Sequence, residues 1–151
     1  MLTVDKVLKL GKITSTQTVA KEIAPIFPKE SILITAATQT QGRGQYEREW
    51  SSNPGGLYFT LLLRPKKMSN LRDLSYQTGK ALARTLETDY DLKTQIKLPN
   101  DVLALHGKTY KKIAGIVTDA DEDEIKEAES QALKKAKEVI KKLKNKKIQK
   151  L

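Results

Sequence analysis

The chain breaks its apolar residues into short runs, each closed by proline, glycine or a cluster of turn formers. That punctuation restricts it to short strands and helices in alternation. Residues 7–13 have strand-like content. Ser15-Thr16-Gln17 then offers a helix cap before the amphipathic segment 18–26, which Pro25 and Pro28 close. Ile32, Leu33 and Ile34 are consecutive apolars inside 31–37, which reads as a short buried strand. Asn53-Pro54-Gly55-Gly56 is a turn, and the strand formers of 57–63 run from it to Pro65. Leu74, Thr78, Ala81, Leu82 and Leu86 recur at helical spacing through 71–88. Strands are expected at 94–98 and 102–105, joined through Pro99-Asn100-Asp101, and at 113–117 after a turn at His106-Gly107. Without strict βαβ regularity, the pattern predicts an α+β fold, a mixed β-sheet with packed helices.

From position 120 the composition changes. Ile125, Ala128, Ala132, Ala136, Val139 and Leu143 fall at intervals of three and four, with acids early and lysines late. The pattern predicts one long amphipathic helix with no site chemistry, so the chain divides into 1–119 and a Lys/Glu/Ala-rich helix over 120–151.

A chain of 151 residues supports one domain with a modest core. The absence of cysteine excludes a disulfide framework and a thiolate metal site, and a lone His106, read as a loop residue, cannot form a histidine cluster. The reducing cytoplasm is the expected setting. Neither a signal peptide nor a run near the ~20 apolar residues of a membrane span is expected. The formal net charge of +10 would suggest an acidic partner, but much of the excess lies in the terminal lysines from Lys134 to Lys150. No aromatic is interleaved there to stack on bases, so a solvated helix face is the reading.

The segment Gly42-Arg43-Gly44-Gln45-Tyr46-Glu47-Arg48-Glu49-Trp50 carries the chemistry. Alternating glycines and arginines make a mobile loop whose amides and guanidiniums can close over a phosphate. Lys97-Leu98-Pro99-Asn100-Asp101 and Lys111-Lys112-Ile113-Ala114-Gly115-Ile116 follow in order.

In that order the segments resemble the catalytic domain of biotin protein ligases. The family's pattern runs Ser-Thr-Asn/Gln, Gln-x-x-Gly-Arg-Gly-Arg-x-x-Arg-x-Trp, Gly-Gly-Leu-Tyr, Lys-Trp-Pro-Asn-Asp and Lys-x-Ala-Gly-Ile. It is matched by Ser15-Thr16-Gln17, 39–50, Gly55-Gly56-Leu57-Tyr58, 97–101 and 112–116. The resemblance covers roughly 7–118. Gln45 stands for an arginine, Leu98 for a tryptophan, and beyond Thr118 the chain is unlike the family, whose Gly-x-Gly-x-Asn strand is missing.

The resemblance implies ATP-dependent activation of biotin as biotinyl-5′-AMP and transfer to a lysine of a carboxylase biotin-carrier domain. It assigns Ser15, Thr16, Gln17, Gln39, Gly42, Arg43, Tyr58, Lys112 and Gly115 to biotin. Arg48, Trp50, Lys97, Asn100 and Asp101 fall to the nucleotide, with Asp101 also on Mg²⁺. Lys112, Arg43 and Arg48 would neutralise charge on the reacting groups. Each has a plainer reading: Ser15 to Gln17 as a helix cap, Tyr58 as core, Asn100 and Asp101 as turn formers, Lys112 as a solvated charge.

Because the sequence opens near the first catalytic strand, no winged helix and no sequence-specific DNA binding are expected. Two other readings stand beside the ligase. One is a non-catalytic truncated or engineered scaffold that binds without turnover. The other is a lipoate-type ligase, although the Arg-Arg-x-x-Gly-Gly-Gly segment of that branch is not present.

Overall fold

The computed structural model describes residues 3–64 and 71–119. The helix expected over 120–151 lies outside them. The described chain is a mixed α+β structure built on two three-stranded sheets. The element order is β1 (Lys6–Ile13), α1 (Thr16–Ile23), β2 (Ile32–Gln39), β3 (Tyr58–Leu62), α2 (Leu71–Tyr90), β4 (Thr94–Lys97), β5 (Asp101–His106) and β6 (Thr109–Gly115). A single 3₁₀ turn, Gln45–Glu47, lies in the connection from β2 to β3.

The first sheet has the order β1-β2-β3, with β2 parallel to β1 and antiparallel to β3. The consecutive apolars of β2 are not all buried alike. Ile32, Ile34 and Ala36 are buried while Leu33 and Thr35 are half-buried, the period of a strand covered on one face. Ala20, Ile32 and Ile34 form the core, with Leu8, Leu10, Val19, Ile23, Phe27 and Leu62 packed around them.

Helix α1 begins two residues earlier than the amphipathic pattern indicates and ends three earlier. Ser15 is its N-cap and accepts from the Gln17 N–H, so the cap fixes the start. At the other end Pro25 has no N–H to continue the ladder. Arg64 donates to the Ala24 and Phe27 carbonyls at 2.7 and 3.2 Å, tying the chain after α1 to the end of the sheet.

The second sheet has the order β4-β5-β6 and is antiparallel throughout. Helix α2 covers it by part of the stripe the apolar spacing suggested, since Leu82 and Leu86 turn inward and Leu74 does not. Thr78 and Ala81 are exposed, and the inward stripe is Ser75, Gly79, Leu82, Ala83 and Leu86. A β-carbon at Gly79 would rest in ordinary contact with Ile116 and Val102, 3.6 and 3.8 Å away, so the buried small residues Gly79 and Ala83 mark where the helix lies close to β5. The strand expected at 113–117 is observed at Thr109–Gly115, because a tight hairpin at Gly107, in the left-handed region with φ 63°, returns the chain at once. The Leu98–Pro99 peptide bond is cis.

Parallel pairing of β1 and β2 brings their carboxyl ends together, beside the residues that the motifs single out. It continues past both strands, with Thr40 N–H donating to the Ile13 carbonyl and Gln41 N–H to that of Thr14. The N-terminus of α1 and the start of the Gly/Arg loop therefore lie side by side, where open α/β sheets bind ligands.

Candidate active site

The Gly/Arg loop is closed rather than open. Trp50 N–H donates to the Gly42 carbonyl at 2.8 Å and Gly44 N–H to that of Arg48 at 2.6 Å. Gln39 pairs with Ser52 and Arg43 with Glu49 across the loop as in a short antiparallel ladder. Tyr46 sits in the left-handed region at φ 57°, ψ 39°, and turns the chain at the tip. Gly42 is demanded by closeness. A β-carbon there would overlap the Trp50 carbonyl and stand 2.5 Å from Ser52 Oγ.

Gln39 joins this loop to α1. Its Oε1 accepts from the Thr16 N–H at 2.8 Å and from Thr16 Oγ1 at 3.2 Å, and its Nε2 donates to Ser52 Oγ at 2.9 Å. Thr60 Oγ1 donates to Thr16 Oγ1 at 2.8 Å. Tyr58 shares the β3 face with Thr60 and donates its hydroxyl to the Asn53 carbonyl at 2.7 Å, closing the 53–56 turn. Ser15 and Thr16 are buried, at 1% and 4% exposure, and Gln17 is half-buried beside them.

Across from the loop, β6 supplies Lys112 and Gly115 through a β-bulge. Val102 pairs with Ala114 but Leu103 with Lys112, so Ile113 is the extra residue. The bulge places Lys112 on the same face as Gly115 and Asp101; in a regular ladder it would share the Val102 face, toward α2. Lys112 Nζ stands 2.7 Å from Asp101 Oδ1 and 4.9 Å from the centre of the Trp50 ring, an ion pair and a cation–π contact at once. That carboxylate oxygen is buried and receives no aligned hydrogen bond, so the ammonium is the charge that offsets it. A β-carbon at Gly115 would stand 3.3 Å from Trp50 Cζ3 and 3.4 Å from Lys112 Nζ, so the glycine leaves room for both side chains.

The structure thus gathers Ser15, Thr16, Gln17, Gln39 and Gly42 at one end and Trp50, Asp101, Lys112 and Gly115 at the other. Asn100 is buried and donates Nδ2 to the Ile116 carbonyl at 3.0 Å, so its amide holds β5 to the chain after β6. The side chains of Arg43, Arg48 and Lys97 are exposed, and no hydrogen bond or ion pair engages them among the described residues. His106, expected in a loop, is instead the last residue of β5, where it pairs with Thr109 and lies exposed beside the hairpin turn. Ser52, at 6% exposure the polar link between Gln39 and the Trp50 carbonyl, was not singled out from sequence; its place two residues after Trp50, before a turn, was the available signal. Among the described residues no three Asp, Glu, His or Cys side chains gather around a metal position.

An α+β scaffold with such a loop and lysine defines a class. The chain belongs to the biotin/lipoate A/B protein ligase family, whose model matches residues 10–132, past the 7–118 marked by the motifs. It is 36% identical over 118 residues to the bifunctional ligase/repressor BirA of Bacillus spizizenii, and equally to that of Bacillus subtilis. These alignments take in 76% of this chain and 35% of either relative. Among solved structures it is similar to the biotin protein ligase from Aquifex aeolicus in complex with biotin and ATP. There the TM-score is 0.65 at 31% identity, over 79% of this chain and 48% of that one. The biotin protein ligase from Leishmania major in complex with biotinyl-5-AMP gives 0.62 at 25% identity, over 80% and 54%. The chain therefore spans about a third of the curated relatives' length and about half of the solved ligases'.

Proposed function

We propose that this chain carries the activating part of a biotin protein ligase: it binds biotin and ATP, joins them as biotinyl-5′-AMP, and passes the biotinyl group to a lysine. The observation that carries this reading is the convergence of Lys112, Asp101, Gly115 and the Trp50 ring on one side of the closed Gly42 loop. Membership of the family supports it, as do relatives whose structures hold biotin with ATP or biotinyl-5-AMP.

In the first step a biotin carboxylate oxygen attacks the α-phosphorus of ATP, and the bond to the β-phosphate oxygen breaks to release pyrophosphate. Lys112 acts by charge: its ammonium can leave Asp101 for the carboxylate and α-phosphate as negative charge gathers there. Gln39, Thr16 and Gly42 hold the ring end of biotin, and the face of Trp50 offers a stacking surface for adenine. Arg43 and Arg48 fold over the phosphate from the loop. A magnesium ion borne by the nucleotide would neutralise phosphate charge, with Asp101 as its protein ligand. In the second step the lysine ε-amine attacks the mixed anhydride carbonyl, AMP leaves, and the amine proton passes to solvent. The acceptor is the carrier domain of a carboxylase. Gln45 in place of an arginine leaves the intermediate less firmly held, so part of it escapes and labels exposed lysines nearby.

The cytoplasm, where ATP and carrier domains occur, is the setting; among the described residues no helix is long and apolar enough to cross a membrane. Calorimetric titration with biotin, lipoate and ATP tests the reading. Binding of biotin and ATP without lipoate is expected; preference for lipoate, or binding of neither acid, would overturn it.

A further inference from the structure

We infer that Ser52 is a positioning residue that holds the Gly42 loop to the N-terminus of α1 and thereby sets the place of Trp50. The inference rests on the functional reading above only where ligands are concerned. Its basis is a directed chain of hydrogen bonds. Thr60 Oγ1 donates to Thr16 Oγ1, and Thr16 Oγ1 donates to Gln39 Oε1. Gln39 Nε2 donates to Ser52 Oγ, and Ser52 Oγ donates to the Trp50 carbonyl at 3.1 Å. Each hydroxyl has one proton, and each proton has one destination.

The direction of the chain is fixed at Gln39. Because its Oε1 also accepts from the Thr16 N–H, a flipped amide would set donor against donor. Ser52 must therefore accept from Gln39 and has its own proton left for Trp50. No other residue type of that size does both: alanine does neither, and cysteine offers only a weak donor and acceptor. The hydroxyl also fills the space that a β-carbon at Gly42 would need, so Gly42 and Ser52 fit each other as a pair. The chain of bonds crosses β3, α1, β2 and the loop. It ends at the residue whose N–H is bonded to Gly42 and whose ring lies against Lys112. Linked bonds of this kind strengthen one another in a partly buried setting, and breaking a middle link leaves polar groups unpaired on both sides.

The chain holds a single tryptophan, so Trp50 reports on its own surroundings. In the full chain without ligand, Ser52→Ala should lower the emission anisotropy of Trp50 and shift its emission to longer wavelength, with far-ultraviolet circular dichroism unchanged. Thr60→Val, cut at the far end of the chain of bonds, should leave the Trp50 signal close to that of the parent. With ligands, Ser52→Ala should raise KM for biotin and for ATP together, roughly tenfold, because the loop carries groups for both. A Trp50 signal identical in parent and Ser52→Ala would overturn the inference, as would a variant that melts earlier yet keeps both KM values. If the parent binds neither biotin nor ATP, the functional reading fails, and the ligand-free Trp50 signal still decides the role of Ser52.

Discussion

Replacing Gly42 by alanine tests the closed loop most sharply. The added β-carbon would overlap the Trp50 carbonyl, stand 2.5 Å from Ser52 Oγ and 3.1 Å from Gln39 Nε2. To reach an ordinary separation near 3.5 Å the serine oxygen must retreat by about 1 Å, which stretches its bonds to Gln39 and Trp50 beyond hydrogen-bonding range. Overpacking of this kind costs about 1–3 kcal/mol and the two lost bonds about 0.5–1.5 kcal/mol each, roughly 2–6 kcal/mol together. Against a whole-domain stability of about 5–15 kcal/mol, the melting midpoint should fall by on the order of 10 °C. Thermal melts followed by circular dichroism and by Trp50 emission measure it. Gly11→Ala is the control: a β-carbon there meets nothing within 4 Å, so the midpoint should hardly move. If both variants melt within about 2 °C of the parent, the close approach at Gly42 is not what closes the loop.

Lys112→Ala should nearly abolish pyrophosphate release. It should also destabilise the chain by about 1–2 kcal/mol, since the buried oxygen of Asp101 loses its counter-charge while Lys112 itself is 41% exposed. Adding Asp101→Asn to that variant should restore much of the stability and none of the activity, which denaturation and turnover assays would separate. Gln45→Arg should lower labelling of an unrelated lysine-rich protein relative to a carrier domain, by roughly tenfold, if a charged contact retains the intermediate; equal labelling would contradict it.

Local signals made much of the fold legible. Ser15 announced the α1 cap, the Pro/Gly clusters closed the strands, and consecutive apolars marked β2. The α+β class followed from their alternation. What escaped depends on contacts distant in sequence. The inward stripe of α2 takes in Gly79 and Ala83, which are buried where the helix nears β5, beside Leu82 and Leu86 of the helical period. The bulge at Ile113 is invisible to a pattern of twos, yet it alone turns Lys112 toward Asp101. Ser52 escaped because a serine before a turn reads as solvated, and only the fold buries it against Gln39. The motif order singled out Gln39, Gly42, Trp50 and Lys112, which the fold links through Ser52, the closed loop and the Trp50 ring. That Asn100 bonds to the Ile116 carbonyl, and that Lys112 rests on the Trp50 ring, required the three-dimensional arrangement.

The central claim is that this chain activates biotin with ATP through Lys112. The most direct measurement is biotin-dependent exchange of labelled pyrophosphate into ATP, run side by side for the parent chain and Lys112→Ala, with mass detection of biotinyl-5′-AMP. The account predicts exchange and adenylate in the parent, both dependent on biotin, and near-complete loss of both in the variant. Exchange that ignores biotin, no adenylate from a parent that binds both ligands, or equal rates from the two proteins would contradict it.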